Sequence, residues 1–416
     1  MNLILKSARI IDTNSSHHNA TKDILIENGI ISKIAKNIEN INNYKEIELE
    51  NLHVSQGWFD SSVCFGEPGF EDRETIQNGL NTAAKSGFTS VCMQANTKPV
   101  LNNNSDIFAI KGRSANHAVS LLPVGALTTN SDSLDLAELF DMLQAGAVAF
   151  SDYKIPVKNP NLLKIALQYT KQFKAVVCSF PLEQQISGKG VMNEELTSTK
   201  TGLKGSPNLA ESMQVARDLF LLEYTEGQLH IPTISTKESV ELIREAKKKG
   251  LNITCSAAIH NLFFTDEMLS DFNTQYKVNP PLRIQTDIDA LIEGLKDGTI
   301  DMVTSDHNPV TIEDKNIEFE NAAYGTIGLE TAFGALNTLF TTEKSVELLT
   351  KGKAIFNANT HCIEEGQTVD LSLFNPETKY TFAKNNIFSK SKNSIFLNHD
   401  LRGNVYGIVA NNKHVL

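Results

Sequence analysis

From residue 53 to residue 307 the chain repeats one pattern: short apolar, β-branched runs alternate with amphipathic helical stretches. Eight runs have strand character: 53–63 (HVSQGWFDSSV), 89–95 (TSVCMQA), 119–127 (VSLLPVGAL), 147–153 (AVAFSDY), 174–180 (KAVVCSF), 228–235 (QLHIPTIS), 252–259 (NITCSAAI) and 302–307 (MVTSDH). Helical periodicity fills the spaces between, as in "DLAELFDMLQAG", "NLLKIALQYTKQ", "KESVELIREAKKKG" and "DIDALIEGLKDG". Strand and helix in strict alternation build a parallel sheet, and eight such units predict an α/β fold of the (β/α)8 barrel type over residues 53–359. A doubly wound open sheet is the alternative, but no GxGxxG or GxxxxGK[ST] loop follows any strand.

The two ends of the chain read differently. Residues 1–52 hold two apolar alternations around an Asn28-Gly29 pair, a hairpin signature. Residues 360–416 carry the same kind of pattern and an Asn-Asn turn just before the C-terminus. Both ends are expected to meet in one small β-sheet domain.

With 416 residues, 41% of them hydrophobic, the chain can bury a large core. Its net charge of -11 argues against nucleic-acid or anionic-membrane partners, since the only dense basic run is "REAKKKG". The N-terminus has an early lysine and no long apolar stretch, so a cytoplasmic location is expected. Five cysteines, odd in number and without a CxxC pair, fit reduced thiols.

In such barrels chemistry sits at the C-terminal ends of the strands. The polar residues there are Asp60, Ser62, Cys64, Asn96, Asp152, Ser179, Thr233, His260, Asp306 and His307. A hydrolytic zinc site needs about three His, Cys or carboxylate donors per ion, leaving one position for water. Good donors occur here about once per strand. Asp306 could serve as a general base, and Cys64 as a nucleophile if His230, His260 or His307 came close enough to take its proton. The plainer reading makes Cys64 a core residue, His230 a structural histidine facing away from the site, and Arg283 of "NPPLR" an ion-pair partner.

The stretches "EPGFEDRETIQNGLNTAAKSGFTSV", "NTKP", "AGAVAFSD", "GVMNEELTSTKTGLKGSPNLAE", "ISTKESVELIREAK", "VNPPLR", "LIEGLKDGTIDMVTSDHNP" and "YGTIGLET" occur in the order found in one family. The chain resembles the dihydroorotases of the amidohydrolase superfamily, in particular the type that associates with aspartate carbamoyltransferase. That resemblance implies a barrel with a bipartite β domain, and interconversion of N-carbamoyl-aspartate and dihydroorotate at a metal site.

The departures from the family pattern fall on that site. The first-strand Asp-x-His-x-His reads Asp60, Ser62, Cys64, and the substrate-gripping arginine is Gly66. The metal-bridging position falls at Tyr153, beside a retained Asp152. The histidines after the fifth and sixth strands align with Ser179, within a residue, and Thr233. Only Asp306 survives, and a substrate-contacting histidine four residues on is Val310. By the same resemblance Asn96, Asn279 and His260 match substrate-side positions.

The expectation is a non-catalytic homologue with no cofactor and a vestigial Asp306, acting as structural or regulatory partner of aspartate carbamoyltransferase and forming homo-oligomers. The alternative is an active cyclic amidohydrolase using zinc in an atypical arrangement. Convergence of Cys64, Asp306 and a histidine would favour activity; a mouth plugged by Tyr153, Phe65 or Phe180 would oppose it.

Overall fold

The computed structural model describes all 416 residues. Eight parallel strands form the barrel: Trp58–Val63, Phe88–Met93, Ser120–Gly125, Ala149–Phe150, Val176–Cys178, Leu229–Ile231, Ile253–Ala258 and Met302–Thr304. Each pairs with the next in sequence order, as the alternating pattern predicts. The first and last strands meet through a parallel bridge between Val63 and His307, where the Cys64 N–H donates to the His307 carbonyl at 2.8 Å.

Asp60 locks that seam. Its fully buried carboxylate accepts from the Thr304 hydroxyl at 2.5 Å, the Ser305 N–H at 2.9 Å and the Ser62 N–H at 2.9 Å. A buried carboxylate is tolerable only when hydrogen-bonded in this way. Asp60 therefore belongs to barrel closure.

All eight expected runs overlap barrel strands, most of which are shorter than their apolar runs; the second strand begins one residue earlier, at Phe88. The run 53–63 is in fact two strands. His53–Gln56 pairs with Asn2–Ile10 and Asp370–Thr381 in the terminal sheet, and only Trp58–Val63 enters the barrel. Gly57 marks the crossing, because a Cβ there would meet Thr89 Oγ1 at 2.1 Å and Asp370 Oδ1 at 2.3 Å. The terminal sheet thus takes in residues placed at the start of the barrel by the sequence pattern.

That sheet is built from both ends of the chain, in the spatial order Lys413–Val415, Asp400–Ala410, Asp370–Thr381, His53–Gln56, Asn2–Ile10, Thr21–Glu27, Ile30–Ala35. Asn28 and Gly29 have φ of 53° and 79°, and Asn411 and Asn412 have φ of 49° and 57°. These are the left-handed pairs that tight hairpins require. Trp58 joins the two units, stacking on Phe333 with centroids 4.6 Å apart, packing on Phe374 and donating its indole N–H to Ser55. Between its two long strands the C-terminal part also leaves the sheet for the barrel rim, where Asn393 accepts from the Val310 N–H and Glu74 accepts from the Lys390 N–H. No helix is long and apolar enough to cross a membrane.

Asp60→Ala would strand three buried donors at once. The expected loss is about 3–5 kcal/mol of unfolding free energy, read from urea denaturation. A variant within about 0.5 kcal/mol of the parent would show that Asp60 does not hold the seam.

Candidate functional site at the barrel mouth

Three strand ends bend toward one point. Tyr153 after the fourth strand, Thr233 after the sixth and Asp306 after the eighth have φ of 56°, 49° and 49°. This left-handed conformation is costly for non-glycine residues and most unusual for a β-branched threonine. The backbone holds these positions in the geometry that aims side chains at a common centre, whatever side chains they carry.

What converges there is an ion pair. Lys154, from the loop after the fourth strand, reaches across the barrel so that its Nζ lies 2.6 Å from Asp306 Oδ2. The two side chains are 12% and 3% exposed. The Tyr153 ring lies 5.4 Å from the same ammonium, and the Tyr153 hydroxyl sits against the Cys64 thiol. Burial holds the Asp306 carboxyl above the usual carboxylate range, and the Lys154 ammonium offsets only part of that rise. His260, fully buried, comes to 3.9 Å from Asp306 Oδ2 without hydrogen-bonding it.

The enclosed space is small. A cavity of ≈ 20 Å³ is bounded by Ser62, Tyr153, Lys154, Phe180, Thr233 and Asp306, among others. That is room for about one water molecule, against the several hundred Å³ of a small-molecule site. Of the expected plugs, Tyr153 and Phe180 do line it. Phe65 does not; its ring packs beside Gly79 and edge-on to His307, behind the barrel wall.

Several site expectations need correction. Ser179 does not face the mouth: its hydroxyl donates to Asp218 Oδ2 at 2.6 Å on the helix Asn208–Thr225, while Cys178 and Phe180 face the cavity. The barrel-facing position at that strand end is therefore Phe180. His230 does not face away; it lines the same interior, bonded to Thr254 and Ser256 and set edge-on to Phe356. Asn96 adjoins Cys64, whereas Asn279 is not among the residues lining the cavity. Gly66 has φ of 72°, and a Cβ there would lie 2.4 Å from the Phe70 carbonyl, so this backbone has no place for an arginine.

The remaining polar groups are structural. Asp152 accepts from the Leu127 and Thr128 N–H groups and the Thr128 hydroxyl. His307 Nδ1 accepts from the Gly328 and Leu329 N–H groups at the start of a helix. Arg283 is an ion-pair partner as expected, donating to Ser235, Asn193 and the Ser206 carbonyl with Glu211 Oε2 3.7 Å away. It clamps the loop 190–211, which packs as part of the wall.

The donor set does not fit a metal ion. No group of three or more His, Cys, Asp or Glu side chains is arranged to hold one. Burial pushes the Cys64 thiol up to about 12, so it is not a nucleophilic thiolate in the folded chain. Ser62 and Thr233 are poor zinc donors, and the single carboxylate is already paired. Lys154 is the residue that sequence reasoning missed; its one signal was a charged side chain directly after the strand-end Asp152-Tyr153.

Burial holds His230, His260 and His307 down to about 3, so all three are neutral in the folded chain. Unfolding returns them to about 6.5. Below that pH the unfolded chain binds protons the native chain refuses. Their contribution to stability is thus complete above about pH 6.5 and is lost as pH falls toward 3, by about 1.4 kcal/mol per pH unit for each histidine. Urea unfolding of His260→Gln between pH 7.5 and 5 should show a slope shallower than the parent's by that share; an unchanged slope would mean that His260 is not held neutral.

Comparison with known proteins agrees with this architecture. Residues 53–239 match the family described as Dihydro-orotase-like. The chain is 39% identical to a protein named Dihydroorotase from Acetivibrio thermocellus, over 100% of this chain and 99% of that one. It is 41% identical to a Dihydroorotase from Caldicellulosiruptor saccharolyticus, covering 99% and 97%. Among solved structures, the L-hydantoinase of Arthrobacter aurescens superimposes with a TM-score of 0.84 at 21% identity, covering 100% and 97%, and the D-hydantoinase of Thermus sp. with 0.82 at 19%, covering 98% and 94%. The fold is thus the barrel and sheet domain of the amidohydrolases, and by its full-length likeness the chain belongs to the dihydroorotase family.

Proposed function

We propose that this member of the dihydroorotase family does not hydrolyse a cyclic amide at its barrel mouth, and that it serves pyrimidine biosynthesis in the cytoplasm as a non-catalytic structural or regulatory partner of aspartate carbamoyltransferase. The observation that carries the first half is the Lys154–Asp306 pair at 2.6 Å, closing a cavity of ≈ 20 Å³. Hydrolysis in this fold class needs a water made nucleophilic by metal, a free base and space for a ring. Here the base is paired, no three donors are grouped to hold a metal, and Tyr153 and Phe180 take up the space.

The partner half rests on the resemblance to the type of dihydroorotase that associates with the carbamoyltransferase. It is supported by a face suited to protein contact. The helix Asn208–Thr225 presents Leu209, Met213, Phe220 and Tyr224 to solvent, the last two 73% and 71% exposed. Exposed aromatic residues and methionine are typical of interface cores. Self-association through the same face would give the expected homo-oligomer.

A second reading is favoured by one specific observation: relatives alike over the full length at 37–41% identity carry the name Dihydroorotase. On that reading the chain interconverts N-carbamoyl-aspartate and dihydroorotate, with Lys154 leaving Asp306 to admit substrate.

Turnover of both compounds by the purified chain, with and without zinc and beside an active relative, separates the two. The expected result is no turnover above background, with mixing experiments showing a changed activity or sedimentation of aspartate carbamoyltransferase. Turnover that disappears in Asp306→Asn would establish the second reading.

A further inference from the structure

We infer that the ammonium of Lys154 is a built-in cation, holding in the barrel mouth the charge role for which a hydrolytic barrel uses a metal ion, so that the mouth closes without any metal. The inference rests on the non-hydrolytic reading of this site and explains how the barrel keeps its form under it.

The first support is the charge balance at the centre of the mouth. Asp306 is 3% exposed, and a carboxylate so far from water needs a counter-charge. The Lys154 ammonium supplies it at 2.6 Å. The Tyr153 ring lies 5.4 Å from the same ammonium, with the Tyr153 hydroxyl against the Cys64 thiol. His260 lies 3.9 Å from Asp306 Oδ2 without hydrogen-bonding it. A divalent cation at Asp306 would have to displace Lys154 or be repelled by it at close range in a medium that screens poorly.

The second support is where the pair lies. Another ion pair between distant parts of the chain, Arg73–Asp314, lies part-exposed at the surface. The Lys154–Asp306 pair links residues 152 positions apart, from the loops after the fourth and eighth strands, across the barrel. It lies where Tyr153, Thr233 and Asp306 turn in the left-handed conformation toward the shared cavity. Tyr153 Oη, Thr233 Oγ1 and Asp306 Oδ1 have no hydrogen-bond partner there. The strained backbone thus frames the space, and the Lys154 side chain fills it.

The test uses the full chain. Thermal unfolding of the parent should be unmoved, within about 1 °C, by a chelator or by added zinc. Lys154→Met and Asp306→Asn should each lower Tm by about 4 °C, since each strands a buried charge or its former partner, and the double variant should recover most of the loss. A stoichiometric rise in Tm with zinc, or additive losses in the double variant, would overturn the inference. Should Lys154→Met not fold, the metal titration of the parent still decides. Failure here with no turnover would leave the non-hydrolytic reading standing; zinc-dependent turnover would remove both.

Discussion

A carboxylate taken out of water at the centre of a barrel must be neutralised, and in this chain the neutralising charge is covalently attached. The Lys154 ammonium on Asp306 sets the state of the whole mouth. It leaves the carboxylate paired, it brings Tyr153 in beside it, and with Phe180 it leaves space for little more than a water. A site open to substrate would need these same atoms apart.

The surrounding wall is held by hydrogen bonds that owe nothing to a ligand. Asp60 stitches the first strand to the last, Asp152 ties the third strand's loop to the fourth, and Arg283 gathers Asn193, Ser206 and Ser235 around itself beside Glu211. Each is a buried charge surrounded by donors or acceptors, the arrangement under which burial of charge is tolerable. The rim is further pinned by the excursion of the C-terminal part through Lys390 and Asn393. The fold thus persists on backbone pairing and these networks.

The barrel was legible because alternation of apolar strands and amphipathic helices is a property of local composition, and the Asn28-Gly29 hairpin because only certain residues take positive φ. The site was legible only in part, for reasons of register. Side chains on a strand change face at every residue, so placing the fifth-strand position at Ser179 instead of Phe180 moves it from the cavity to the helix behind. The reading of His230 failed differently. Its spacing from Thr233 suggested opposite faces, but the strand ends at Ile231 and the chain turns at Thr233 with φ of 49°, which breaks the alternation. Lys154 was hidden because a search for lost ligands does not register a long side chain gained from a loop, and only the folded barrel brings residues 154 and 306 together.

The most direct measurement is a crystal structure of the chain grown with excess zinc, with anomalous diffraction recorded at the zinc edge. The account predicts density for the Lys154 ammonium on Asp306 and no anomalous peak in the barrel mouth. A zinc peak bound to Asp306 with Lys154 swung away would contradict it.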